Sequence, residues 1–184
     1  MNDTTMKGVV EYVHQVKTAN MGYAHLWVTH VLGTWQWWIQ LIMVILSVVF
    51  WIIVRKRTST GRLLIAGLFA LSTSMWLDFI GSSFELWYYP YKLIPSIPPV
   101  FPWESVIPIE ILLLLQYRPS LSPWIKAMTI GAINSFIFEP LMEQMGVYVR
   151  VHWRHIYSFP IYIILYLIAH RLAQMKTFKR LVED

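Results

Sequence analysis

Carboxyl groups inside apolar segments are the residues of this sequence best suited to chemistry. Six of the ten acidic residues lie in or beside strongly apolar stretches: Asp78, Glu85, Glu104, Glu110, Glu139 and Glu143. An ionisable group within a bilayer costs at least a few kcal/mol, so it normally faces the inside of a helix bundle and has a partner. Such groups can bind a cation or a proton, or act as general acids in an apolar pocket.

A basic segment follows the last of these acids in the sequence VYVRVHWRHIYSFP. We expect acids from three apolar segments to converge on it, because it supplies the arginines and histidines that buried carboxylates need. The candidate ligand-binding residues are therefore Asp78, Glu110, Glu139, Glu143, Arg150, His152, Arg154 and His155.

Helical spacing predicts which acids share a face. Glu139 and Glu143 are four residues apart and lie on one side of a helix if Pro140 does not interrupt it. Asp78 and Glu85 are seven apart and share a face if their helix extends that far.

Three polar residues receive more specific interpretations. Glu104 starts an apolar segment, where an acid is favoured by the helix N-terminus, so we predict a rim position for it. Glu110 lies deeper and is the residue we would mutate first. Asn134 is five residues before Glu139, on neither the same nor the opposite face of an α-helix, and we predict a helix-packing hydrogen bond.

Several kinds of active site are excluded or disfavoured by motif. The chain has no cysteine, so thiol chemistry and disulfides are impossible. It has no HExxH zinc signature, no GxSxG elbow, no P-loop and no dinucleotide fingerprint. His152 and His155 have i,i+3 spacing and could join Glu139 at a metal, but without a known signature we predict no metal site and no cofactor.

The elements that position these residues are predicted to be membrane helices. Hydrophobic residues make up 57% of the 184 and charged residues only 14%, against roughly 25% charged in soluble domains. The ten tryptophans and ten tyrosines suit aromatic belts at two membrane surfaces. Basic residues flank apolar runs, so the net charge of +5 indicates membrane topology, with the lipid bilayer as partner and no nucleic acid.

We predict an all-α integral membrane protein that forms one domain over residues 1–184. Residues 1–34 form an outer segment with an amphipathic helix, and about five transmembrane helices follow, over residues 35–54, 63–80, 103–117, 122–142 and 156–174. The third is short, about 22 Å against a bilayer core of roughly 30 Å. We expect the proline-rich residues before it to complete the crossing.

Orientation is predicted from the basic residues, with the N-terminus outside and the C-terminus cytoplasmic. The outer side then holds Lys7, Lys17, Lys92, Arg150 and Arg154. The cytoplasmic side holds twice as many: Arg55, Lys56, Arg57, Arg62, Arg118, Lys126, Arg171, Lys176, Lys179 and Arg180.

Two family resemblances rest on particular sequence runs. WLDFIGSSFELWYYPYKLIPSIP, PWESVIPIEILLLLQY, NSFIFEP and WRHIYSFPIYI resemble a family of small, uncharacterised multi-pass membrane proteins of Bacillus- and Clostridium-type bacteria. This resemblance implies the bacterial plasma membrane and about five helices, but no activity. A fainter resemblance links PIEI at 108–111 to membrane lycopene cyclases, where Ile111 replaces the second glutamate of the family's motif.

Three functions remain open from the sequence. The first is binding or transport of a cation, proton or small polar solute, in which a homo-oligomer or partner membrane protein would complete so small a transporter. The second is a structural or accessory subunit whose acid–base network serves packing. The third is an intramembrane lipid or isoprenoid enzyme, with aromatic rings shielding a cationic intermediate: Trp76, Trp87, Tyr88 and Tyr89.

Overall fold

Alpha helices form the framework of the computed structural model, which describes residues 3–95 and 104–175. The helices are α1 Asp3–Leu26, α2 Trp35–Val54, α3 Thr60–Ser83, α4 Val106–Gln116, α5 Pro123–Ile133, α6 Glu139–Gln144 and α7 His155–Ala173. Two π-helical turns, Trp27–Val31 and Asn134–Phe138, and one 3-10 turn, Arg57–Ser59, extend them.

Three helical segments have the length and apolarity to cross a membrane: Trp35–Val54, Arg57–Ser83 and His155–Ala173. The predicted class, an all-α protein with candidate membrane helices, is therefore confirmed at this coarser level. The predicted count of about five is supported only for these three. The apolar helix α4 has 11 residues, and the predicted span 122–142 is divided into α5, a π-turn and α6. The proline-rich approach to α4 lies outside the described residues.

Helix α2 shows why the clearest apolar run in the sequence becomes a helix. Its twenty residues carry no charge, and the Thr34 side chain accepts a hydrogen bond from the backbone N–H of Trp37, which caps the first turn. The helix ends at Val54, directly before the basic residues that begin with Arg55. Most of its side chains are exposed, as expected of a helix at the lipid-facing edge of a bundle.

Small residues allow the inner helices to pack closely. Ala66 and Ala70 on α3 are fully buried, as are Ala127 on α5 and Ala169 on α7. Side chains of this size let helix backbones approach one another, which is how helices associate without a hydrophobic driving force in lipid. Buried Ile111 on α4 belongs to the same core.

The loops at one end of the bundle are joined by a short antiparallel ladder. Strand β1, Trp87–Tyr88, pairs with strand β2, Val149–Arg150. The ladder places the loop after α3 beside the segment before α7. We call this end of the bundle the acidic end, because Asp78, Glu104, Glu139 and Glu143 lie there.

Polar side chains close the opposite end of the bundle. The Lys126 ammonium donates hydrogen bonds to the carbonyl oxygens of Leu114 and Tyr117. These carbonyls lie in and just beyond the last turn of α4, where backbone acceptors lack helical partners. The Gln116 side chain accepts a hydrogen bond from the backbone N–H of Lys56, which ties α4 to the end of α2.

Helix α1 is longer than the predicted amphipathic pattern. It runs from Asp3 to Leu26, and nearly all of its described side chains are exposed. The apolar ones include Met6, Val9, Val13 and Val16. Its placement on a membrane surface stays a prediction.

Candidate functional site

A π-helical turn sets the geometry of the acidic end. Residues Asn134–Phe138 form a turn wider than an α-helical one, in which hydrogen bonds join residues five apart. Asn134 and Glu139 therefore face the same cavity, although α-helical geometry predicted different faces for them. Turns of this kind occur frequently at functional sites.

The two carboxylates Glu110 and Glu139 line one cavity of about 240 Å³, which we call the Glu110 cavity. Helices α2, α4, α6 and α7 all contribute to its wall. Most of the lining is apolar, with Met43, Leu113 and Phe138 among its members. A few polar groups thus meet in an otherwise apolar space, which is the usual composition of a ligand pocket.

Glu110 has a buried amide as its partner. The Asn134 side-chain amide donates a hydrogen bond of 2.9 Å to Oε2 of Glu110, and Asn134 is 2% exposed. Asn134 makes a hydrogen bond between helical segments, as predicted, and its partner is the carboxyl group of Glu110. A side-chain amide can donate to either an ionised or a protonated carboxyl group, so it leaves Glu110 free to change its protonation state.

Glu139 is held by two residues of α7. The Tyr162 hydroxyl donates to Oε1 over 3.2 Å, and Nδ1 of His155 lies 2.7 Å from Oε2. Glu139 itself is 3% exposed. Burial of a carboxylate at this depth is tolerated because both of its oxygens have partners.

His155 also connects this buried acid to the rim. Its Nε2 atom lies 3.2 Å from Oε2 of Glu143, which in turn accepts a 2.9 Å hydrogen bond from Nε of Arg150. That hydrogen bond raises the pKa of Arg150. The Glu143 side chain is 35% exposed, so a continuous set of polar contacts links the surface to the cavity.

Pro140 does not disturb the spacing of these two glutamates. It occupies the first turn of α6, immediately after the π-turn, where proline is tolerated because its missing N–H needs no partner. Glu139 and Glu143 consequently lie on one helix face and contact the same imidazole, as their spacing predicted.

Asp78 lies apart from these residues, beside a second cavity of about 180 Å³ that we call the Asp78 cavity. Its Oδ1 atom accepts hydrogen bonds from Nε1 of Trp87 at 2.9 Å and from the Tyr89 hydroxyl at 2.8 Å. Aromatic donors, rather than the predicted arginines and histidines, are therefore its hydrogen-bonding partners. Burial, and next the charge of Asp78, raise the pKa of Tyr89.

Two tyrosines separate the cavities. Tyr148 and Tyr162 line both the Glu110 cavity and the Asp78 cavity. Tyr148 is 2% exposed, and burial, followed by the charge of Glu139, raises its pKa. The Tyr148 hydroxyl group therefore keeps its proton in the ordinary pH range and can act as a hydrogen-bond donor.

The predicted rim position of Glu104 is wrong, and the condition for Asp78 and Glu85 to share a helix face is not met. Glu104 is 8% exposed and lies beside Asp78, two residues before α4 begins. Glu85 is exposed and has a φ of +53°. Because α3 ends at Ser83, Glu85 does not share a helix face with Asp78.

Two of the predicted binding residues do not contact the acidic residues of the site that the structure describes. His152 and Arg154 are exposed, and among the described residues neither side chain makes a hydrogen bond or ion pair with the acids. Of the four aromatic residues considered as cation shields, Trp76 and Tyr88 are exposed, whereas the other two bind Asp78. A role of these eight binding residues towards a ligand stays a prediction.

The sequence interpretation missed Glu104, Tyr148 and Tyr162 as site residues. The aromatic residues around Trp87 and Tyr89 were interpreted as a membrane belt. Their polar N–H and O–H groups were the available signal, because a buried tyrosine or tryptophan normally has a hydrogen-bonding partner.

Glu110 also borders a groove that leads away from the cavity. This groove of about 470 Å³ lies between α2 and α4 and reaches Lys56 and Gln116 at the opposite end of the bundle. Gln116 is six positions after Glu110 on α4, a distance of about 9 Å along the helix. Glu110 thus faces two spaces, one shared with Glu139 and one that extends towards the basic residues.

No group of three or more His, Asp or Glu residues in ranges 3–95 and 104–175 is arranged to hold a metal ion. Comparisons of the chain with protein-family models, with curated proteins and with solved structures found no match. The class that composition and helix length support is a multi-pass membrane protein. Its function has to be argued from the cavities and their carboxyl groups.

Proposed function

We propose that this membrane protein binds protons at Glu139 and Glu110 and moves them between the two ends of the bundle. The observation that supports it is the position of Glu110, which borders both the cavity containing Glu139 and the groove leading to Lys56. Rim contacts reach Glu139 through His155. Protonatable groups therefore lie along most of the path from the rim, through Glu139 and Glu110, to Lys56 at the opposite end of the bundle.

Proton chemistry fits the cavity better than a hydrated metal ion or a polar solute does. Calcium requires six to eight oxygen ligands, and magnesium keeps much of its water shell. The Glu110 cavity offers two carboxyl groups, an amide and a few hydroxyl groups within a mainly apolar wall. A carboxyl group needs no further ligands to accept a proton, and burial with neighbouring donors tunes its affinity.

His155 is suited to carry the proton between the rim and the cavity. A neutral imidazole has one ring nitrogen that donates and one that accepts, so it can take a proton on one side and release one on the other. Its two nitrogens face Glu143 and Glu139. The ring therefore connects a partly exposed carboxylate with a buried one.

The proposed location and orientation of the protein are those predicted from its sequence. We place the protein in a bacterial plasma membrane, with the acidic end outside and the C-terminus cytoplasmic. Lys56 and Arg57 then lie on the cytoplasmic side, in accord with the positive-inside rule. The resemblance to small membrane proteins of Bacillus- and Clostridium-type bacteria belongs to the same proposal, as does assembly into a homo-oligomer or with a partner.

Proton flux into proteoliposomes tests the function directly. A pH-sensitive dye inside the vesicles reports acidification after an acid pulse outside, with an ionophore holding the membrane potential at zero. We expect wild-type protein to accelerate acidification over protein-free vesicles, and Glu110→Gln and Glu139→Gln to abolish the acceleration. Glu11→Gln on exposed α1 is the matched control and should behave as wild type. Undiminished flux in both cavity variants would rule out the proposal.

An intramembrane lipid or isoprenoid enzyme is the second candidate, and the apolar lining of the Glu110 cavity favours it. Glu139 would then act as the general acid on an apolar substrate. The lipid profile of a deletion strain tests this function, and a profile identical to wild type would exclude it.

A structural or accessory role is the third alternative, because the contacts of Glu139 and Asp78 join several segments of the chain. Normal assembly and an unchanged phenotype after replacement of Asp78, Glu110 and Glu139 by their amides would favour this role over the first two.

A further inference from the structure

Asp78 and Glu104 form a pair of buried carboxyl groups that the proposed proton route does not use. Asp78 is 1% exposed and Glu104 is 8% exposed, and the two carboxyl groups lie close enough for each to influence the other's ionisation. Neither lines the Glu110 cavity. Any role of this pair is therefore independent of flux through Glu110 and Glu139.

Three of the four carboxyl oxygens of this pair have no hydrogen-bonding partner in the described segments. Oδ1 of Asp78 is satisfied by Trp87 and Tyr89. Among the residues that the structure describes, no hydrogen bond of ordinary geometry reaches Oδ2 of Asp78 or either oxygen of Glu104, although the backbone N–H of Glu104 lies near its own carboxyl group. A buried acceptor without a donor is costly, and two ionised carboxylates in contact repel each other strongly.

The nearest basic group does not neutralise the pair. Lys92 influences both acids through its charge, but in the described part of the chain it forms no ion pair with either. Its ammonium lies over the Tyr23 ring, 4.9 Å from the ring centroid. Burial lowers the pKa of Lys92, while the charges of Asp78 and Glu104 act in the opposite direction.

We propose that Asp78 and Glu104 bind one proton between them, as a carboxylic acid hydrogen-bonded to a carboxylate. One added proton supplies the donor that the pair lacks and removes the repulsion, while Trp87 and Tyr89 stabilise the remaining negative charge through Oδ1. The other titratable or charged groups facing the pair are Lys92, Tyr148 and Tyr162. The tyrosines are neutral donors, and none of the three replaces the proton.

The shared proton would fasten three segments together. Asp78 belongs to α3, its aromatic donors to the loop that follows, and Glu104 to the approach to α4. Loss of the proton would leave two adjacent charges at this junction. The pair is thus a proton-binding site that holds the outer loop against the bundle.

Infrared spectroscopy of the protein in detergent counts the protons, because a protonated carboxyl group has a carbonyl stretch distinct from that of a carboxylate. At neutral pH we expect Glu104→Gln to lose the band intensity of one carboxylic acid per chain relative to wild type. In this variant the glutamine amide donates to Asp78, which stays ionised. The double variant Asp78→Asn with Glu104→Gln should lose no more, since only one proton was present.

Two results of this experiment overturn the proposal. No loss in either variant would mean that both groups are ionised, and a loss of two acids in the double variant would mean that both are protonated. A loss of one acid in the double variant alone would place the proton on Asp78 in Glu104→Gln and would still support one proton for the pair. Glu11→Gln serves as the control for an exposed carboxylate and should leave the spectrum unchanged.

A second measurement uses the wild-type protein in case Glu104→Gln does not fold. Sodium and calcium salts should leave the carboxylic acid band unchanged, because no cation occupies the position of the proton. Displacement of the band by either salt would identify a cation site instead.

Discussion

The imidazole of His155 touches two glutamates at once, with Nδ1 2.7 Å from Oε2 of Glu139 and Nε2 3.2 Å from Oε2 of Glu143. The two acids are one helical turn apart but differ in environment, since the Glu139 side chain is 4% exposed and that of Glu143 is 35% exposed. This single contact joins the protected interior of the bundle to its surface.

Replacing His155 by asparagine should reduce proton flux at least tenfold. Asparagine can still bond to Glu139, but it cannot ionise or reach both carboxylates, and positioned proton-transfer groups typically contribute about 10²–10⁴-fold to rates. Proteoliposome acidification measures the effect. His152→Asn is the matched control, because His152 is three residues away and exposed, and it should keep wild-type flux. Equal losses in both variants would contradict a relay through His155.

The two glutamates should differ in their contribution to stability. Glu139→Ala leaves the buried Tyr162 hydroxyl without its acceptor and removes the partner of the His155 ring, which costs about 1–3 kcal/mol. Glu143→Ala removes a partly exposed ion pair with Arg150, worth about 0–1 kcal/mol. Unfolding in detergent with increasing denaturant gives both values. A larger loss for Glu143→Ala would show that Glu139 is not the buried anchor described above.

Gly81 should be intolerant of any side chain. A Cβ atom there would lie 2.1 Å from the Trp87 ring, so Gly81→Ala must displace the ring and break its hydrogen bond to Asp78. We expect a loss of about 3 kcal/mol, the upper part of the range for overpacking. Gly22→Ala on α1, where no atom lies within 4 Å, should be neutral or stabilising by up to about 1 kcal/mol. Melting temperatures in detergent distinguish the two, and equal melting temperatures would refute the packing argument.

Tyr148 should make the protein less stable at alkaline pH. Its pKa is raised in the folded state, so above about pH 10 the unfolded chain loses a proton that the folded chain keeps. Stability from this group is therefore present below pH 10 and declines as pH rises, at up to about 1.4 kcal/mol per pH unit.

In the variant Tyr148→Phe, the free energy of unfolding should fall less steeply with pH, because one titrating group has been removed. Denaturant unfolding between pH 9 and pH 11 measures the slope, and Tyr12→Phe on the exposed helix α1 should leave it unchanged. An identical slope in wild type and Tyr148→Phe would contradict the raised pKa.

The limits of α2 and α7 could be predicted because long apolar runs are bounded by charged or polar residues. The contact of Glu139 and Glu143 with one basic partner was likewise predictable from helical spacing and a nearby basic segment. Both depend on short-range sequence patterns, which tertiary structure rarely overrides when the whole segment is apolar.

The burial of Glu104 could not be predicted in this way. An acid at the start of an apolar segment normally stabilises a helix N-terminus, whereas Glu104 lies beside Asp78, a residue 26 positions earlier on α3. The loop after α3 carries the indole and phenol groups that satisfy Asp78, so the partners of both acids depended on tertiary structure. A sequence pattern identifies an amphipathic face, but it does not specify which distant segment covers it.

The π-turn at Asn134–Phe138 has a consequence for how this protein could change over evolution. Such a turn holds one residue more than an α-helical path of the same rise, so loss of any single residue within it would restore a regular helix. Asn134 and Glu139 would then be four residues apart in a regular α-helix and would still share a face, so the deletion would leave Glu139 directed towards the cavity. A chain that kept every residue but formed a regular helix here would instead place Glu139 about 140° around the helix from Asn134. Relatives that conserve the acids and the function should therefore keep either both the extra residue and the π-turn, or neither.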